Sequence, residues 1–317
     1  MVISRWIKPD TKLYASLNDI SRSLDWIFEF RPVWFFPIWI LMTSGMSAAK
    51  GVAEPEFYWW TAVDWSVFYL FVGVTVLISA TLINIAGARI RGSSRIVLTA
   101  GVSVTVLTVG YMAVTGHSNV WISLLWAIMA FFALQTYFRR CVNEKETLPV
   151  KGVPLTAAAS LALFMIGWQI VSADIVAGFI KSVPYLLGSQ AVFILLPALN
   201  SAEHADHFRD KVGGVKRELA LATISVAMAA VSGYLLHDPV ASTAGIVSFP
   251  FFIVALLSPR AEHVMRTVRY PILILAIFVC VRYPWCFAAL FITFYLTKLY
   301  HYFRFSVDYP TFHVGHD

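Results

Sequence analysis

Seven stretches of this chain run without one acidic or basic side chain: Trp65 to Ala88, Ile96 to Gly116, Val120 to Phe138, Gly152 to Ala173, Ser182 to Ala202, Leu219 to Leu236 and Val240 to Pro259. Each is close to the roughly 20 residues that a helix needs to cross a bilayer. In hydrocarbon every backbone polar group must find its partner within the protein, so such stretches have to be helices. Two further segments complete the set: Pro32 to Ala49, preceded by Arg31, and a long one from Tyr270 to about Tyr300. The composition agrees, with 59% hydrophobic and 13% charged residues, half the charged share of a soluble globule. The fold class that follows is all-α, a polytopic membrane bundle of nine transmembrane helices.

The last segment is interrupted by Arg282-Tyr283-Pro284. The part before it is too short to cross, and a re-entrant pair would need its broken backbone shielded by neighbours, so one long Pro-kinked helix is expected. Arg282 then reads as an inward-facing or interfacial charge on the kink.

Orientation follows from the basic residues. With the N-terminus in the cytoplasm, 19 of the 24 Lys and Arg fall on the inner side, leaving only Lys50, Lys181, Arg282, Lys298 and Arg304. This bias supports nine crossings, with the C-terminus on the opposite side. The net charge of +6 therefore reports topology and contact with anionic lipid, not nucleic acid. Before the first span, Leu13 to Trp26 alternates apolar and polar groups at helical spacing, as an interfacial helix does. The chain thus divides into an interfacial segment over 1–25, a transmembrane domain over 26–300 and a short tail over 301–317. Cys141, Cys280 and Cys286 have no metal-binding spacing and read as buried thiols.

Chemistry concentrates in the inner loops. Glu203, Asp206 and Asp210 stand at i, i+3 and i+7, so they share one face if the sixth helix continues through them. Clustered carboxylates repel, and the cost falls if Arg209, Lys211 and Lys216 or a hard divalent ion supplies positive charge. A solvated loop whose charges pair among themselves is the other reading. His204 and His207 add a transition-metal option, but the remaining six histidines form no second box.

The order of helices and loops resembles the UbiA superfamily of intramembrane prenyltransferases, which has nine helices and an Asp-rich motif after the second and the sixth. Asp206-His-Phe-Arg-Asp210-Lys-Val-Gly-Gly214 matches the second motif. After the second helix, Asn84 and Arg89 stand as in the family's first motif, while Ile85, Ala88 and Gly92 occupy its three acidic positions. Arg31-Pro32 at the start of the first helix, and Tyr137 with Arg139 and Arg140 after the fourth, are further local matches.

The resemblance implies a cavity open laterally to lipid, in which a prenyl diphosphate is held by magnesium and its carbocation alkylates a lipophilic acceptor. On this chain it implies Asp206 and Asp210 as ligands of a single Mg2+, with Asn84, Arg89, Arg91, Tyr137, Arg140, Glu203 and Lys211 around the substrate. Three outcomes stay open: transfer of a prenyl group through an atypical site, binding of a prenylated lipid, quinone or pigment without cleavage, and a scaffold subunit within a membrane complex.

Overall fold

The computed structural model describes residues 12–23, 35–53, 64–85, 93–115, 120–143, 152–203, 212–280 and 282–305. Eleven helices and no strand occur among them. They are α1 (Lys12–Ser23), α2 (Phe35–Ala53), α3 (Trp65–Ile85), α4 (Ser93–Val114), α5 (Trp121–Asn143), α6 (Val153–Val171), α7 (Ile175–Glu203), α8 (Val212–Leu235), α9 (Pro239–Leu257), α10 (Ala261–Cys280) and α11 (Pro284–Phe305). Six of them, α4 to α9, are long and apolar enough to cross a membrane. Large apolar side chains such as Leu107, Val114, Tyr234 and Leu257 point outward, which suits an integral membrane protein whose solvent is lipid.

Three helices begin with the same device. Asp64 accepts from Ser66 N and Val67 N at 2.9 and 3.2 Å at the start of α3. Asp174 accepts from Ala177 N at 3.0 Å at the start of α7. Asp238 accepts from Val240 N and Ala241 N, both at 3.1 Å, at the start of α9, which has Pro239 in its first turn. A capping carboxylate satisfies N–H groups that no carbonyl of the helix can reach.

The bundle is organised around α2, which uses three faces. The first lies directly on α6. A Cβ on Gly167 would stand 1.7 Å from Met42 O, and one on Gly45 2.0 Å from Phe164 O. The two backbones therefore touch, the small-residue packing that membrane helices use in place of hydrophobic exclusion. The second face meets α11, where the Thr43 hydroxyl lies 3.2 Å from Cys286 Sγ and the Ser47 carbonyl accepts from Arg282 Nη1 at 2.9 Å. The third face carries Pro37, Ile40 and Leu41 toward α7 and α10. Trp39 ties α2 to α3 through Thr75 Oγ1 at 2.9 Å, and stacks edge-on with Phe68 and Phe71.

The end of the chain departs from the sequence expectation. The segment from Tyr270 is two helices, with α10 closing at Cys280 and α11 opening at Pro284. From the turn at Arg282 along α11, the partners on α2 recede: Arg282 meets Ser47, Cys286 meets Thr43, and Phe294 meets Phe36. Its last turn reaches α1, where the Tyr14 hydroxyl donates to Tyr302 O at 3.2 Å and the two rings pack at 5.8 Å. The helix therefore reverses instead of bending, and it extends to Phe305, past the expected boundary at 300. The physical reason is local: at the break Arg282 N donates to Val279 O at 3.3 Å and Cys286 N to Tyr283 O at 2.9 Å, so backbone groups on both sides of the turn are paired.

Widening the α2–α6 crossing has a definite expected outcome. Gly167→Val forces a side chain into backbone, which costs more than the roughly 1–3 kcal/mol of ordinary overpacking, and thermal unfolding in detergent shifts strongly downward. Gly110→Ala is the control, since a Cβ there meets nothing. That change stabilises α4 by up to about 1 kcal/mol.

Candidate functional site

A cavity of about 120 Å3 lies between α2, α7, α8, α9 and α10. On α7 it is lined by Pro184, Tyr185, Gly188, Ser189, Val192, Phe193 and Leu196, positions that repeat at helical spacing and so form one face. That face extends over roughly 18 Å at the helical rise of about 1.5 Å per residue. Opposite stand Ile40 and Leu41 of α2, Ala244 and Gly245 of α9, and Pro271, Ile272 and Leu275 of α10. The walls are almost wholly apolar. Gly188 creates part of the space, because a Cβ there would meet no atom within 4 Å.

One end of the cavity is polar. Tyr185 lines it, and its hydroxyl donates to Asp238 Oδ2 at 3.0 Å. Both residues are buried, at 3% and 6% exposure, so this hydrogen bond replaces water that neither group can reach. One turn before Tyr185, Lys181 Nζ donates to Leu236 O. Lys181 and Tyr185 thus clamp the α8–α9 turn from the same face of α7. His237, at the centre of that turn, has a φ of 51°, a left-handed conformation that is uncommon away from glycine, asparagine and aspartate.

The residues singled out from the sequence divide by position. Tyr137 is buried near the end of α5, with its ring 5.9 Å from Phe193, so it supports the cavity wall from behind. Arg140, one turn further, is exposed and does not join it. Asn84 lies in the last turn of α3, and Glu203 is the last residue of α7. Arg89, Arg91, Asp206, Asp210 and Lys211 lie outside the described residues. Glu203 is 18 residues beyond Tyr185 on the same helix, so the acidic loop begins roughly 27 Å along the axis from the Tyr185–Asp238 pair at about 1.5 Å per residue.

Tyr185, Asp238 and Gly188 did not stand out in the sequence. A tyrosine and a glycine in an apolar span look like ordinary packing, and Asp238 looks like a cap. A faint signal existed in Lys50, Lys181 and Arg282, which the charge bias left over.

No family model matches this chain, and no curated protein or solved structure matches it either.

The polar end supports a graded prediction. Tyr185→Phe leaves a buried carboxylate oxygen short of one donor, at a cost of about 1–3 kcal/mol. Asp238→Ala removes the helix cap as well, worth about 1 kcal/mol more. Thermal unfolding in one detergent should therefore rank the wild type above Tyr185→Phe, and that above Asp238→Ala.

Proposed function

We propose that this is a divergent UbiA-like membrane protein that takes the chain of a polyprenoid lipid into the cavity and transfers a prenyl group from its diphosphate to a lipophilic acceptor. The observation that carries this reading is the apolar cavity, walled by α7 and α8, the two helices joined by the loop that holds Asp206 and Asp210. An elongated apolar space leading toward a charged loop suits a substrate with a long hydrocarbon tail and an anionic head.

The donor set fits a hard divalent ion, since Asp206 and Asp210 offer only carboxylate oxygens, with Glu203 nearby in sequence. Bound there, Mg2+ would supply positive charge to a departing diphosphate. Arg89 and Arg91 supply part of the charge that the first motif's carboxylates would otherwise recruit through a second ion. The cavity wall, with Phe193 backed by Tyr137, excludes water from the prenyl chain and offers aromatic faces to developing positive charge.

For topology, we propose ten crossings, α2 to α11, with both ends of the chain in the cytoplasm. The Tyr14–Tyr302 contact supports this, and it brings Arg304, one of the basic residues left over from the sequence count, to the inner side.

One observation favours a second reading, a protein that binds a prenylated lipid, quinone or pigment without turnover, alone or in a membrane complex. Ile85, Ala88 and Gly92 stand where the related motif has carboxylates. Magnesium-dependent diphosphate release from allylic prenyl diphosphates separates the two. Transfer predicts release that falls roughly 10²-fold or more in Asp206→Asn and Asp210→Asn. Equal background release in all samples, with the lipid still bound, leaves only the binding reading.

A further inference from the structure

Two hydroxyls in the wall of the cavity leave hydrogen-bonding capacity unused. Tyr185 donates its single proton to Asp238 Oδ2 at 3.0 Å, so toward a ligand its oxygen can only accept. The same carboxylate accepts from Ala241 N, and Tyr185 and Ala241 both line the cavity. Asp238 therefore marks one end of the space, and its charge strengthens the Tyr185 oxygen as an acceptor.

Ser248 is the second. It lines the cavity at 3% exposure, and its hydroxyl has no hydrogen-bond partner among the described residues. A helical serine or threonine often returns its hydroxyl to a carbonyl one turn back, as Ser242 does on the same helix and Thr223 on α8. Ser189, the third hydroxyl of the wall, is already held by Leu186 O and Ser160 Oγ at 2.8 and 2.9 Å. Ser248 stands two turns beyond Ala241 on α9, roughly 10 Å along the axis at about 1.5 Å per residue. The two unmet demands are complementary, since Tyr185 lacks a donor and Ser248 an acceptor, and the wall between them is apolar at Gly188, Ala244 and Gly245. A buried hydroxyl without a partner is costly unless a ligand or ordered water meets it.

We propose that the cavity takes a neutral single-chain lipid bearing both a hydroxyl and an ester carbonyl, in its simplest form a monoacylglycerol. The lipid hydroxyl donates to Tyr185, the carbonyl accepts from Ser248, and the chain runs on past Phe193 and Leu196. Two hydrogen bonds of about 2.8 Å each, with a glycerol between hydroxyl and ester, bridge a separation of this order. An apolar cavity of about 150 Å3 holds one benzene ring. This one, at about 120 Å3, has the width for one chain and not for two. The site uses neither Asp206 nor Asp210 and no diphosphate, so it goes beyond the transfer reading and stands or falls separately.

The test is displacement of tritiated 1-oleoylglycerol from the full chain in detergent by unlabelled 1-oleoylglycerol, oleyl alcohol, methyl oleate and 1-octadecene. The proposal expects one site per chain, with 1-oleoylglycerol bound about ten times more tightly than the alcohol or the ester, and 1-octadecene weakest. Tyr185→Phe should weaken 1-oleoylglycerol and oleyl alcohol by about tenfold and leave methyl oleate unchanged. Ser248→Ala should weaken 1-oleoylglycerol and methyl oleate to a similar degree and leave oleyl alcohol unchanged. A merely structural role for either residue would lower all three together. Gly188→Leu should remove binding by filling the space, while Asp206→Asn, in a residue that the transfer reading needs, leaves it intact. Binding of 1-octadecene as tight as that of 1-oleoylglycerol, equal losses for all ligands in both variants, or no saturable binding of 1-oleoylglycerol would each overturn the proposal. If Tyr185→Phe does not fold, Ser248→Ala and the ligand comparison decide.

Discussion

The direct contact of α2 with α6 fixes the position of everything else. Once Gly45 and Gly167 bring the two backbones together, the rotation of α2 is set, because its other residues follow at 100° steps. Thr43 and Ser47 then face α11, and Pro37, Ile40 and Leu41 face α7 and α10. Any side chain at the crossing would turn or displace α2, and with it the wall of the cavity and the seat of Arg282.

Most of the helices are legible in the sequence, because lipid leaves the chain few alternatives. A run without charges, ended by Asp, Gly or Pro, has to be helical, and the observed bounds of α3 to α9 follow those runs closely, save that α7 and α8 each begin seven residues before theirs, at Ile175 and Val212. The reversal after Cys280 was not legible. Hydropathy shows that Arg282-Tyr283-Pro284 interrupts an apolar segment, but a kink and a hairpin leave the same pattern. What decides is a set of long-range contacts, Cys286 on Thr43 and Tyr302 on Tyr14, and local sequence does not contain them.

The cavity was not legible, for a different reason. Charged loops announce themselves, so Asp206 and Asp210 were conspicuous, whereas the cavity is made by small and apolar residues such as Gly188, Ala244 and Gly245. An absent side chain reads the same in sequence whether it admits a neighbouring helix or leaves space. Gly167 does the first and Gly188 the second. Of the basic residues left over from the topology count, Lys181 donates to Leu236 O, Arg282 Nη1 donates to Ser47 O and Lys50 lies over the Tyr283 ring, while Arg304 returns with α11 toward α1. A charge within a membrane bundle is costly enough that its position usually has a reason.

The cavity itself follows from two tight crossings that draw helices apart. While α2 is held against α6, α9 is held against α8, where a Cβ on Gly245 would lie 2.8 Å from Ala230 Cβ and one on Gly233 2.7 Å from Ser242 N. Each pair closes on its own partner, so the faces of α2 and α9 that look toward each other across α7 and α10 are left without full contact. Backbone contacts of this kind do not relax as flexible side chains do, and the walls cannot readily collapse to fill the gap. In water such a space would cost stability on every wall, since each atom there lacks a partner. The packing that stabilises the fold and the apolar space left between the helices are therefore two results of the same small residues.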